Sequence, residues 1–177
     1  MIEVRPPFLF TRESKIRIDR DGHVWHAGDR VTHEGLERAL LTWVDVDDAG
    51  RYVMRNRFDW CFVTVDHTPL VVRSVIFEDG PSGRVDALLS DGSTEVLDVS
   101  SVQVDPDGRV YASVRGGRLL ASFDRQAAFK FLECVDADAR GAMTFRRGAT
   151  ATKLRQLEAG QTLLPPLPVP SAVEPAK

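Results

Sequence analysis

Through most of the chain apolar and polar residues alternate with a period of two, the pattern of half-buried strands, and in two places the period lengthens to that of a helix. Ile16-Arg17-Ile18 runs into Asp19-Arg20-Asp21-Gly22, and alternation resumes at Val24-Trp25. Val102-Gln103-Val104, Asp105-Pro106-Asp107-Gly108 and Val110-Tyr111 repeat this at an offset of 86. β-Branched residues favour a strand, and Asp-x-Asp-Gly supplies a side-chain-bonded turn with a glycine free to take positive φ, so each copy is expected as a β-hairpin. A second echo follows at an offset of 91: Leu41, Val44, Asp45, Asp47, Gly50 and Arg55 recur as Leu132, Val135, Asp136, Asp138, Gly141 and Arg146. Each copy has a helical stripe between the echoes. Leu36, Ala39, Leu40, Trp43 and Val44 draw the first, capped by Thr32; Ala127, Phe131, Cys134 and Val135, widened by Ala128 and Leu132 and capped by Ser122, draw the second. Both helices break at Val-Asp-x-Asp and a glycine, and strands follow at 51–54 and 142–145.

Between the copies only strands are expected, at 60–66, 70–77, 85–89 and 95–99, turned by Pro69, Gly80-Pro81-Ser82-Gly83 and Asp91-Gly92. A helix buries its stripe by covering a sheet face. The pattern therefore predicts an α+β fold of two tandem repeated units, each a β-hairpin plus a covering helix plus strands, with an antiparallel strand-rich middle segment. Residues 1–98 would hold the first unit and connector, 99–155 the second, and 156–177 a disordered tail that is Pro-rich from Leu163 onward.

Three stretches in this order, VWHAGDRVTHEGLERALLTWVDVDDAGRYVM from Val24, VTVDHTPL from Val63 and VYASVRGGRLLASFDRQAAFKFLE from Val110, resemble the bacterial family known as domain of unknown function 1285. The first contributes Trp25, Gly28, Val31, the helix, Gly50 and Tyr52; the second Val65, Asp66 and Pro69; the third Tyr111, Val114-Arg115, Leu119 or Leu120, and Arg125. The resemblance runs from about Ile16 to about Leu154 and implies tandem α+β units with a ligand-binding or regulatory role. It brings no established catalytic residue, so no site is carried over.

Composition narrows the function classes. With 177 residues, 23 Lys+Arg and 26 Asp+Glu, the net charge is -3, which lacks the broad basic field of a non-specific nucleic-acid binder. Up to Ala139 the balance is -7 and beyond it +4, so a basic appendage follows an acidic body. No apolar run reaches the roughly 20 residues that span a bilayer, and the N-terminus carries Glu3, Arg5 and two prolines rather than a signal-peptide core. A cytoplasmic protein without membrane or specific nucleic-acid partners is the expectation, and no cofactor is implied. A homodimer through exposed strand edges stays open.

Several constellations invite chemistry. Asp45-x-Asp47 and Asp136-x-Asp138 look like the opening of a calcium loop, but position five is Ala49 or Arg140 and position twelve Asn56 or Arg147, so helix-ending turns are the better account. Asp19/Asp21 and Asp105/Asp107 likewise read as turn residues. His23, His26 and His33 near Asp29 fit no zinc spacing, and no metal site is assigned. Cys61, with His67 the closest base in sequence, has the types of a nucleophile and its activator, yet Trp60, Phe62 and Val63 around it suggest buried packing; Cys134 reads the same way.

The favoured site is Arg115-Gly116-Gly117-Arg118, read as the link from the second hairpin to the second helix: glycines let amides converge, two guanidiniums offer forks, and a helix N-terminus adds positive charge. Arg73 and Trp25 are its proposed neighbours, in a groove between the units. The expectation is a non-enzymatic module, with no catalytic residue, that binds a small anionic ligand or regulates. On this reading Arg115→Ala plus Arg118→Ala would abolish binding without lowering thermal stability. The alternatives are a protein–protein adaptor using Arg140, Arg146, Arg147, Lys153, Arg155 and the Pro-rich tail, and a hydrolase or transferase using Cys61 or the histidines.

Overall fold

Four aspartates set four turns in the same way. Asp19 Oδ1 accepts from the amides of Asp21 and His23, Asp47 from Ala49 and Arg51, Asp105 from Asp107 and Arg109, and Asp138 from Arg140 and Ala142. A glycine with φ between 77° and 80° follows each one and lets the chain reverse. These carboxylates therefore do turn work, and Asp45 and Asp136 pair with Arg118 and Arg146.

In the computed structural model, which describes residues 12–163, the first of these turns joins β1 (Ile16–Ile18) to β2 (Val24–His26). A tight turn at Ala27-Gly28 adds β3 (Asp29–Arg30), and α1 (Glu34–Thr42) follows. The antiparallel strands β4 (Val44–Val46), β5 (Tyr52–Arg55) and β6 (Trp60–Phe62) come next, and β7 (Thr64–Val65) returns to lie parallel to β1. The antiparallel β8 (Leu70–Phe77), β9 (Val85–Leu89) and β10 (Thr94–Val96) form the middle, closed by a 3-10 turn at Val99–Ser101.

After it the earlier series of elements recurs. β11 (Gln103–Val104), β12 (Val110–Val114) and β13 (Leu119–Phe123) precede α2 (Arg125–Leu132). The strands β14 (Val135–Ala137), β15 (Met143–Arg147) and β16 (Thr150–Lys153) follow, and β17 (Arg155–Gln156) returns parallel to β11. The sheet orders β3-β2-β1-β7 and β13-β12-β11-β17 match, and each three-stranded meander is antiparallel throughout. Single bonds match too: Asp66 N–Ile18 O has its counterpart in Leu157 N–Val104 O, and Arg55 N–Trp43 O in Arg146 N–Cys134 O. The change of offset from 86 to 91 falls in the β12–β13 hairpin, which is longer than β2–β3.

The fold is α+β and sheet-rich. Strand β8 runs parallel to β13, with Ala121 opposite Leu70 and Phe123 opposite Val72, so the middle strands extend the second sheet to seven. Among the described residues one core runs from Ile18, Val24 and Leu41 through Leu70, Val72 and Leu89 to Phe131 and Phe145. Phe131 stacks on Phe145 at 5.1 Å and meets Phe123 edge-on at 5.6 Å. Burying such a ring stabilises by about 2–3 kcal/mol.

Several expectations are corrected. α1 is capped by His33, whose Nδ1 accepts from the Leu36 amide, and α2 by Asp124, which accepts from Ala127; Thr32 is not the cap, and Ser122 lies within β13. Leu36 is 49% and Trp43 37% exposed, because α1 turns Glu37, Leu40 and Leu41 inward instead, with Val44 of β4 buried beyond its end. Glu37 belongs on that face because its carboxylate accepts the Val24 amide at 2.9 Å. Gln156 and Leu157, expected in the tail, are instead in β17 and buried, respectively. Residues 164–177, with most of the Pro-rich stretch, and 1–11, with Glu3 and Arg5, lie outside the described residues. Among the described residues, no helix is long and apolar enough to cross a membrane.

Candidate functional site

Arg115-Gly116-Gly117-Arg118 forms the turn between β12 and β13 and does not enter the helix, which starts after a full intervening strand. Helix N-terminal charge therefore adds nothing there. Arg115, at φ 52°, gives its amide to Glu95; its guanidinium donates to Asp91 Oδ2 at 2.6 Å and to the carbonyls of Leu41, Thr42 and Val44 at 3.0–3.2 Å. Burial alone would raise the Asp91 carboxyl, but bonds from Ser93 and Arg115 outweigh it and hold it below the usual carboxylate range. Arg118 pairs with Asp45 at 2.8 Å and donates to Val46 O. The longer hairpin thus straps the second series of elements to the C-terminal end of α1, where carbonyls welcome a cation. Gly116 and Gly117 supply positive φ in open space.

The remaining candidates scatter. Trp25 donates its Nε1–H to Asp19 Oδ2 at 2.7 Å and lies under Arg17. His23 meets Arg30 at 2.8 Å and Glu37 at 3.5 Å. Cys61 is half-buried and lines an apolar groove of about 140 Å³ with Ile16, Leu40, Trp43, Met54 and Trp60, while His67 bonds elsewhere. Of the basic C-terminal group, Arg147 covers Phe77, and Arg155 bonds Gln103 and Thr162. Arg73 donates to Asp21 O at 2.6 Å, which places it beside a different opening.

That opening is a polar cleft of about 300 Å³ between the two Asp-x-Asp-Gly turns, lined by Arg20, Asp21, His67, Arg109, Ser122 and Phe123. The β1–β2 turn supplies Arg20, the β11–β12 turn Arg109, and the bend after β7 supplies His67. Arg20 makes no hydrogen bond or ion pair with a described residue, whereas Arg109 pairs with Asp107 at 3.1 Å and Asp105 at 3.7 Å. Behind them, buried Thr68 contacts the Ser122 hydroxyl at 2.9 Å and accepts the Ser122 amide. His67 Nε2 lies 3.1 Å from Tyr111 Oη, which donates to Asp105 Oδ2 at 3.1 Å. Burial, then the charges of Arg20 and Arg109, push the His67 imidazole below its ordinary range, against a smaller opposing pull from Asp105. Burial, reinforced by Asp105, pushes the Tyr111 phenol up to about 12. Sequence reasoning missed this cleft because Arg20 fills the x position of its turn and Arg109 follows the glycine of the other, places where a cation carries no pattern.

Two crystal structures share the overall fold. A DUF1285 family protein from Silicibacter pomeroyi superimposes with a TM-score of 0.66 at 19% identity, over 81% of this chain and 80% of its own. A second, from Shewanella baltica, gives 0.59 at 16% identity over 70% and 94%. The chain has the DUF1285 fold. At these identities the likeness carries the fold alone. A family model described as strictosidine synthase-like, N-terminal, matches residues 101–121, which within the DUF1285 fold is little more than the β11–β12 hairpin and the turn beyond it. No curated protein matches the chain at a significant level.

Proposed function

We propose that the chain is a non-enzymatic binding module that takes a small anion of phosphate or carboxylate type in the cleft between its two Asp-x-Asp-Gly turns. The observation that carries this is the convergence of Arg20, Arg109 and a neutral His67 on one polar opening, with Arg20 free of any described partner. A guanidinium without a carboxylate is ready to accept one from a ligand, and hydrogen bonds to charged groups contribute about 1.5–3 kcal/mol each. The reading moves the anion site from Arg115 and Arg118, whose forks are filled from within, while keeping Arg73 at its rim. We further infer that the recurring elements are an internal duplication and that the cleft arose where its copies face each other. Two unpaired thiols, Cys61 and Cys134, suit a cytoplasmic setting.

Titrating sulfate and inorganic phosphate into ¹⁵N-labelled protein tests the site. Saturable amide shifts are expected around Arg20, His67, Arg109 and Ser122, with affinity down about tenfold or more in Arg20→Ala plus Arg109→Ala. Unchanged binding in that variant would sink the assignment. So would a greater loss in Arg115→Ala plus Arg118→Ala that retains the wild-type amide spectrum.

A further inference from the structure

Trp25 and Tyr111 occupy corresponding places in the two hairpins, and each donates to the outer carboxylate oxygen of its turn aspartate, Asp19 or Asp105. The next bond separates them. An indole N–H only donates, so the first chain of bonds ends at Trp25; a phenol also accepts, so Tyr111 Oη, whose O–H is directed at Asp105, accepts from His67 Nε2–H. That bond fixes the neutral tautomer and leaves Nδ1 as the nitrogen open to protonation.

The charged groups around the ring come from every side. The β1–β2 turn presents Arg20 and Asp21, β8 presents Arg73 against Asp21 O, and the β11–β12 turn presents Asp105, Asp107 and Arg109. Asp66, next in sequence, is held by Arg17. Asp105, which accepts a hydrogen bond from Tyr111, stays charged and pulls the imidazole the other way, but by less than Arg20 and Arg109 push it, and Asp107 faces Arg109 with a largely exposed side chain. A third positive charge is therefore opposed while the cleft is empty.

Resting on the anion reading above, we infer that the anion enters this cleft together with one proton from solvent, taken up at His67 Nδ1, so that binding strengthens as pH falls. The anion neutralises the repulsion from Arg20 and Arg109 and adds a direct attraction for the imidazolium. By linkage, the free energy by which the anion favours protonation equals that by which protonation favours the anion. Tyr111 is a positioning residue: it holds the proton on Nε2 and directs uptake to Nδ1.

Sulfate is the probe, because it stays a dianion from about pH 5 to about pH 8 and contributes no proton of its own. In the full chain, imidazole ¹⁵N shifts of His67 followed through this range should show a midpoint that moves upward with sulfate. Sulfate affinity should rise by up to about tenfold per pH unit between the liganded and the free midpoint, and level off below the free one. His67→Gln should bind sulfate with an affinity that no longer changes with pH. Tyr111→Phe should shift the His67 ¹⁵N signature from a single Nε2–H tautomer to a mixture, a change that loss of packing alone would not produce; an unchanged signature would remove the positioning role. Sulfate binding at Arg20 and Arg109 with the His67 midpoint unmoved would overturn the proton linkage while leaving the anion site standing. Absence of sulfate binding at every pH would overturn both.

Discussion

Arg115 directs its guanidinium at four internal acceptors: the Asp91 carboxylate, whose side chain is 1% exposed, the Leu41 and Thr42 carbonyls at the end of α1, and the Val44 carbonyl at the start of β4. Removing it would strand a buried charge, and Arg115→Ala is expected to cost about 3 kcal/mol in chemical denaturation. Arg118, 61% exposed beside Asp45, should cost under about 1 kcal/mol. A loss of equal size in both variants would refute the strap. The pair was expected to be removable without loss of stability, and the strap reverses that expectation for Arg115. The Asp91 carboxyl is held low in the fold, so its contribution is present above its unfolded value near 4 and is lost as pH falls through the folded one. Asp91→Asn should accordingly flatten the acid limb of stability against pH. The turn at Arg115 to Arg118 was legible from its glycines. Its acceptors were not, because Leu41 and Thr42 lie more than 70 residues away and nothing in local spacing marks them.

At the scale of elements, corresponding positions permit a paired test. Gly22 and Gly108 end equivalent Asp-x-Asp-Gly runs at φ 77° and 79°. Alanine at either pays about 1 kcal/mol for the left-handed backbone. At Gly108 the added methyl would meet open space, whereas at Gly22 it would lie 2.8 Å from Val71 Cγ2, a stiff side chain in the core-facing strand β8. Gly22→Ala should therefore lower the melting temperature clearly more than Gly108→Ala; equal shifts would mean that the first turn is not pressed against β8. The hairpins, β8 and β9 were legible because Asp-x-Asp-Gly and short apolar, β-branched runs between Gly and Pro turns are local chemistry. The face of α1 was misread because Glu37 counts as polar in any periodicity, yet it is turned inward by the Val24 amide. The offset change likewise gave no sign that the added residues would form the hairpin carrying Arg115.

Across the whole molecule the recurring segments do not stand apart. Strand β13 has β12 on one side and β8, from the middle segment, on the other, and α2 packs on both β8 and β13. Sequence made 99–155 look like a unit because its pattern restarts there. Long-range pairing with β8 leaves no such trace, since the apolar run Leu70-Val71-Val72 reads as a buried strand whatever its partner. Residues 99–163 alone would expose the β8-facing edge of β13 and the apolar face of α2, a surface that a chain of this size cannot leave in water and remain folded. That fragment is expected to give a collapsed amide spectrum without a cooperative thermal transition, and extension back to Val63 should restore dispersion by returning β8 to β10. The full chain, with its single core, should unfold in one transition at the same denaturant midpoint whether followed by Trp43 and Trp60 fluorescence or by far-UV circular dichroism. A fragment 99–163 that unfolds cooperatively by itself, or two separated midpoints in the full chain, would mean that the parallel β8–β13 pairing contributes little and that the two series of elements are independent domains.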